Sequence, residues 1–193
     1  MRLMAEQDQG RYQCLLLEED EIDAAITVIC LDRTEYEEMS PERQHEVWNI
    51  AENTLRSPTY ELYALVDTQE DRLVGKAMIE YMDEDLPEIT GLHVAPDQRG
   101  KRLINIAYEG CLLSLREQGY QEAMVRISPN NEASLKAASR NGFEEFTRDT
   151  GVDPDLANHR FLKRALDPLA PKMRFGAGHR AGNAADGFEH PLS

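Results

Sequence analysis

The chain has 193 residues, 41% of them hydrophobic, enough for the core of one domain with extensions. Its 36 Asp+Glu against 21 Lys+Arg leave a net charge of −15, which argues against nucleic acid or an anionic membrane as a partner. There is no run of 18 apolar residues and no basic-then-apolar leader, and Cys14, Cys30 and Cys111 are scattered. A membrane span, a secretory signal, a disulfide framework and a zinc site are therefore not expected, and the cysteines read as buried, reduced thiols of a cytoplasmic protein.

Residues 1–10 are polar and read as a frayed start. Tyr12–Leu17 reads as a first strand. Carboxylates crowd Glu18–Asp23, where a helix start favours them, and Ile22, Ile26 and Ile29 recur at helical spacing. The β-branched run Ile26–Ile29 leaves a strand open as the alternative. Ser40 and Pro41 suit the N-cap and first position of a helix that ends before Ser57-Pro58. Glu61–Asp67 and Leu73–Met82 read as antiparallel strands joined by the polar turn 68–71. Glu88–Val94 is the next strand, and Thr90-Gly91 inside it marks a bulge.

A helix over Arg102–Gln118, capped by Gly119, then leads to a buried strand at Ala123–Ile127. A helix over Asn131–Asn141 and strands at Phe143–Arg148 and Arg160–Arg164 complete the series. The strand–helix–strand unit between 88 and 127 implies parallel pairing there. The expected fold class is α/β: a mixed, mostly antiparallel sheet with flanking helices over residues 1–167. Residues 168–193 are rich in Gly and Pro and read as a disordered tail. His179 and His190 lie too far apart in it to suggest a metal site, and no metal is expected.

The most informative stretch is Leu92-His93-Val94-Ala95-Pro96-Asp97-Gln98-Arg99-Gly100-Lys101-Arg102-Leu103-Ile104. An apolar strand runs through a proline turn into a basic corner and then a long helix. A helix N-terminus leaves backbone N–H groups unpaired and carries partial positive charge, so it can hold a phosphate. Gly100 removes a side chain where a pyrophosphate approaches the backbone. Arg99, Lys101 and Arg102 place three cations beside it in an otherwise acidic chain.

A second segment follows at Asn131-Glu132-Ala133-Ser134, closing on Arg140-Asn141-Gly142-Phe143. Together the two segments resemble the GCN5-related N-acetyltransferase (GNAT) superfamily over roughly residues 60–165. Its pattern is an L-x-V-x-P strand end, a Q/R-x-x-G-x-G/A loop and a later N-x-x-[AS] helix ending in G-F. Arg99 stands at the Q/R position. The family's two loop glycines fall at Arg102 and Ile104, and Ala138 stands where many members carry a tyrosine as general acid.

The resemblance implies a GNAT-like fold with acetyl-CoA as co-substrate. It implies that the pantetheine arm pairs with the backbone of Leu92–Val94. The pyrophosphate would lie on Arg99, Gly100, Lys101, Arg102, Leu103 and Ile104. Asn131 and Ser134 would contact the pantetheine or the acceptor, and Asn131 is equally suited to cap its helix. Glu88 matches the position of a frequent glutamate base acting directly or through water. His93, on the other side of the strand from Leu92 and Val94, is the second candidate base. Tyr108 and Ser139 are hydroxyls that could protonate the leaving thiolate, which Ala138 cannot do.

The expected activity is acetyl transfer to a primary amine of a small molecule or peptide by direct attack. The 13 Asp/Glu in residues 1–50, against 4 Lys/Arg, suit an amine. The alternative is a catalytically weak module on the same fold that binds acyl-CoA or a protein, favoured by Arg102, Ile104 and Ala138. A homodimer is compatible with either.

Overall fold

A computed structural model describes residues 1–30, 33–83, 85–148 and 158–169. Glu84 and the chain from residue 170 onward, with His179 and His190, lie outside these. The elements are β1 (Arg2–Gln7), β2 (Tyr12–Leu16), α1 (Ile22–Cys30), α2 (Arg33–Glu38), α3 (Pro41–Arg56), β3 (Tyr60–Asp67), β4 (Arg72–Glu80) and β5 (Glu88–Val94). After a short 3-10 turn at Pro96–Gln98 come α4 (Leu103–Glu117), β6 (Glu122–Ile127), α5 (Glu132–Arg140), β7 (Glu144–Phe146) and β8 (Arg160–Ala165). The strands form one sheet in the order β1-β2-β3-β4-β5-β6-β8-β7. Every pairing is antiparallel except β5 with β6.

Residues 1–10 are not frayed. β1 pairs along β2 from Arg2↔Leu16 to Gln7↔Tyr12. The polar Glu6-Gln7-Asp8-Gln9 hides a strand whose inward contribution is Met4 and Ala5, both buried. The predicted strand Phe143–Arg148 is shorter, at Glu144–Phe146. Cys14 and Cys111 are buried as expected, but Cys30 is only half-buried; none of the three is in a disulfide.

The run Ile26–Ile29 is helix. Ala25, Ile26 and Val28 pack with Val47 and Ala51 of α3 and Leu62 and Ala64 of β3. Fully burying a side chain such as Ile or Val is worth about 1.5–3 kcal/mol, more than the small helix penalty of β-branching. Tertiary packing therefore decides the element. α3 opens as its sequence predicts, with the Ser40 hydroxyl accepting from Arg43 N–H at 3.3 Å and Pro41 in the first turn. On the opposite sheet face α4 buries Leu103, Ile106, Tyr108 and Leu115 against Tyr63, Leu65, Ile79 and Ile89. No helix among the described residues is long and apolar enough to cross a membrane.

Asp67 ends β3 with no exposed surface and collects four donors. Arg11 gives Nε at 3.2 Å and a terminal nitrogen at 2.9 Å, and the Gln69 and Glu70 N–H groups approach at 3.0 and 3.3 Å. The Arg11 bond first, then the backbone donors, hold its carboxyl below the usual range. A depressed folded value means that this stability is present above the unfolded value of about 3.9 and is lost as pH falls through the folded one. Asp67→Asn is therefore expected to lower the melting temperature at pH 7, with the gap to wild type closing below about pH 4. A constant gap across a melting series from pH 7 to pH 3 would contradict this.

Candidate active site

β5 and β6 pair at one register point, Glu88↔Met124, reinforced by Met124 N–H donating to the Pro87 carbonyl at 2.9 Å. Beyond it the strands splay. A cleft of about 200 Å³ opens between Thr90-Gly91-Leu92 on one side and Val125-Arg126-Ile127 on the other. Tyr108 of α4 and Asn131 and Ser134 of α5 close its end. β5 carries the predicted bulge: Thr90 faces Met78 and His93 faces Lys76, leaving Gly91 and Leu92 opposite one residue.

The cleft adjoins a cavity of about 630 Å³ that gathers most of the residues expected to bind the cofactor. Leu92, Val94, Arg99, Gly100, Arg102, Leu103, Ile104, Asn131 and Ser134 all line it, with His93 and Tyr108. Lys101 does not. Its ammonium turns away to the Gln98 side-chain oxygen Oε1 at 2.6 Å and the Tyr12 hydroxyl at 3.1 Å. A larger groove of about 720 Å³ shares only Arg140 with this cavity; it is lined by Ser139, Glu144, Glu145 and Arg160, among others. Ser139 is thereby placed away from the cleft, and Ala138 is fully buried.

No carboxylate lines the 630 Å³ cavity, although the protein carries a net charge of −15. Elsewhere arginines are paired, as Arg2 with Glu117, Arg72 with Asp97 and Arg160 with Glu145. Among the described side chains, Arg102 and Arg140 are the arginines with no hydrogen bond or ion pair, and both line this cavity. Arg99 gives Nε to the Val94 carbonyl at 3.4 Å. Gly100 sits at φ +84° with nothing within 4 Å of where a Cβ would be, so glycine supplies both the turn and the open space. A bulky residue there would be strained as well as obstructive. Arg102, at a family glycine position, adopts the left-handed conformation itself, with φ 63° at the N-cap of α4. The N–H groups of Gly100 and Arg102 bond to no described residue, leaving donors at the helix start.

Asn131 caps α5, its side-chain oxygen accepting from Ser134 N–H at 3.1 Å. Asn141 Nδ2 then donates to Asn105 Oδ1 at 3.0 Å, which ties α5 to the first turn of α4. Glu88 stands at the apex of the splay with its side chain 15% exposed and Arg126 at 3.3 Å. Burial raises its carboxyl above the usual range, while Arg126 and Arg148 pull the other way. His93 lies across from Lys76, whose ammonium donates to the Ile29 carbonyl at 3.0 Å. Burial, then the Arg99 and Lys76 charges, hold the imidazole below its ordinary value and therefore neutral at pH 7. The Arg126 partner of Glu88 was not among the sequence candidates. Its signal was the lone charge inside the apolar run Ala123–Ile127.

The profile of the acetyltransferase (GNAT) family matches residues 26–143. Among solved structures, RimL, a ribosomal L7/L12 alpha-N-protein acetyltransferase in complex with coenzyme A, is 10% identical with a TM-score of 0.63, covering 86% of this chain and 99% of its own. The N-acetyltransferase PseH of Campylobacter jejuni is 13% identical with a TM-score of 0.59 over 80% of this chain and 99% of its own. A spermidine N-acetyltransferase chimera of Vibrio cholerae SpeG and hSSAT is 13% identical with a TM-score of 0.57 over 80% and 95%. Identities this low speak to the fold alone. No curated protein matches the chain.

Proposed function

The chain belongs to the acetyltransferase (GNAT) family, and we propose on that premise that it transfers an acetyl group from acetyl-CoA to a primary amine of a small molecule or peptide by direct attack. One observation carries the reading: the two unpartnered arginines, Arg102 and Arg140, flank a carboxylate-free cavity beside a helix start with free N–H donors. That arrangement suits the phosphates of CoA. The Leu92–Val94 edge, freed by the splay, can pair with the pantetheine arm and bring the thioester to the cleft. Glu88 at the apex is the proposed base. The amine enters from the face that Glu88 shares with its register partner Glu80. Cysteines outside any disulfide fit the reducing cytoplasm.

A specific observation favours the second reading, a CoA-binding module of weak activity: Ala138 is fully buried and offers no proton donor. Calorimetry with CoA, followed by turnover on a panel of spermidine, free amino acids and peptides with a free N-terminus, separates the two. Both readings expect CoA to bind, and a ligand at 100 times its Kd should add about 2.7 kcal/mol to stability. Only the first expects acetylated product.

Arg102→Gly is expected to act in opposite directions on fold and ligand. The left-handed conformation costs a non-glycine residue about 1–2 kcal/mol, of which glycine's freedom in the unfolded chain takes back about 0.5–1. The variant should melt slightly higher. It should also bind CoA about fivefold more weakly at low salt, as losing one exposed charge-assisted contact is worth about 1 kcal/mol, and the difference should shrink in 0.5 M salt. Unchanged affinity at low salt would remove Arg102 from the phosphate site.

A further inference from the structure

Of the hydroxyls that line the cleft, those of Thr90, Ser128, Ser134 and Tyr108, only that of Tyr108 belongs to a buried residue. Tyr108 is 1% exposed, and its ring packs on Phe143 with centroids 5.2 Å apart. Its hydroxyl makes no hydrogen bond with any described residue. A buried tyrosine hydroxyl usually finds a partner. Yet no fully enclosed side-chain nitrogen or oxygen among the described residues lacks one. The Tyr108 oxygen must therefore hold the exposed remainder of its side chain. That remainder opens into the site, because Tyr108 lines both the cleft and the larger cavity.

The contrast with other buried tyrosines is direct. The Tyr63 hydroxyl donates to Glu61, and the Tyr81 hydroxyl accepts from Gln118 at 2.9 Å. Their partners are internal. No described residue partners Tyr108, which lines the junction of the splayed strand edge and the start of α5.

We propose that the Tyr108 hydroxyl is the proton donor to the sulfur that leaves during acetyl transfer, a role that rests on the acetyl-transfer reading above. As the acceptor nitrogen bonds to the carbonyl carbon, the carbon–sulfur bond breaks and sulfur keeps the electron pair. Tyr108 gives its proton to that sulfur. Glu88 takes the proton lost by the attacking amine, and solvent returns it to the tyrosinate, so the products are an amide and a free thiol. Burial pushes the phenol of Tyr108 well above its ordinary value, which keeps it protonated until the sulfur carries charge. Ser139 opens onto the other groove, and the Thr90, Ser128 and Ser134 hydroxyls of the cleft are less buried than that of Tyr108.

Tyr108→Phe keeps the ring and its packing on Phe143, so the fold should hold. The first readout needs no acceptor: pH titration of CoA bound to each protein, followed by thiolate absorbance. A donor at the sulfur stabilises the thiolate, so the bound thiol of wild type should ionise about one pH unit below that of the variant. The second readout is kcat with the best amine, expected to fall at least about tenfold while CoA affinity stays within about twofold. Ser139→Ala should change neither. If the thiol titrates identically in both proteins, or kcat is equal, the assignment to Tyr108 is overturned and acetyl transfer stands. If CoA does not bind wild type, the acetyl-transfer reading falls and takes this role with it.

Discussion

Glu88→Gln is expected to lower kcat by at least about tenfold with little change in acetyl-CoA affinity, since proton transfer by a placed side chain is typically worth about 10²–10⁴-fold. Glu88 sits where β5 and β6 part, at Glu88↔Met124, so its carboxyl is fixed at the mouth of the gap rather than on a loose loop. A base must also hold the proton that it takes. Protonation of Glu88 yields a neutral acid in a site where burial already disfavours the charge. Protonation of His93 would create a cation between Arg99 and Lys76, which oppose it.

The pH dependence follows with its sign. Glu88 is active when ionised, and its folded value is raised, so the acid limb of kcat/KM should lie above the value of about 4.3 for an ordinary glutamate. The limb should vanish in Glu88→Gln. Stability runs the other way: a carboxyl with a raised folded value favours the folded state below about pH 4.3, and that contribution is lost as pH rises through the folded value. Removing the charge should therefore leave the fold intact at pH 7, where Arg126, one-third exposed, can be solvated. His93→Gln should keep most of its turnover. If it loses turnover while Glu88→Gln does not, the base is His93.

Much of the fold was legible because local chemistry and packing agreed. Ser40-Pro41 and Asn131 both cap the helices that their side chains announce. β5 has its predicted bounds, and the crossover through α4 gives the parallel pairing of β5 with β6. β1 was missed because a strand at the sheet edge needs only Met4 and Ala5 inward, too few for a periodic signal. Whether Ile26–Ile29 formed helix or strand was undecidable locally, since α3 and β3 supply the surface that it buries.

At the site, spacing placed residues along elements but not the direction of long side chains. Arg99, Lys101 and Arg102 are nearly adjacent, yet Lys101 leaves for Tyr12 while Arg102 stays on the cavity. The loss of the family's glycine at Arg102 favoured the weak-module alternative; the backbone shows a left-handed turn made by the arginine itself, at φ 63°. The free Tyr108 hydroxyl could not be separated from Ser139 by sequence, because accessibility depends on which side of α5 each groove lies.

Gly75→Ala is expected to be strongly destabilising. Gly75 lies on β4 opposite Val94, with Leu65 of β3 on its other side. A Cβ there would overlap the His93 carbonyl oxygen and stand 2.9 Å from Leu65 Cδ1 and 3.3 Å from Val94 Cα. Overpacking costs about 1–3 kcal/mol, and the upper end applies because a backbone oxygen in a sheet cannot rotate away. For a chain of this size each kcal/mol moves the melting temperature by about 2–4 °C, so a loss of roughly 6–12 °C is expected. The strand that must yield is the Leu92–Val94 edge, so acetyl-CoA affinity and kcat should fall in the protein that remains folded, where a displacement of about 1 Å can cost 10²-fold in rate. Gly110→Ala is the control. Its Cβ would meet Cys14 Sγ at 2.6 Å, on the packing of α4 against β2 and away from the cavity. It should destabilise the protein and leave CoA binding by the folded fraction unchanged. A Gly75→Ala protein that melts like wild type would show that β5 can shift freely, and one that melts low but binds and turns over normally would show that the Leu92–Val94 edge does not position the thioester.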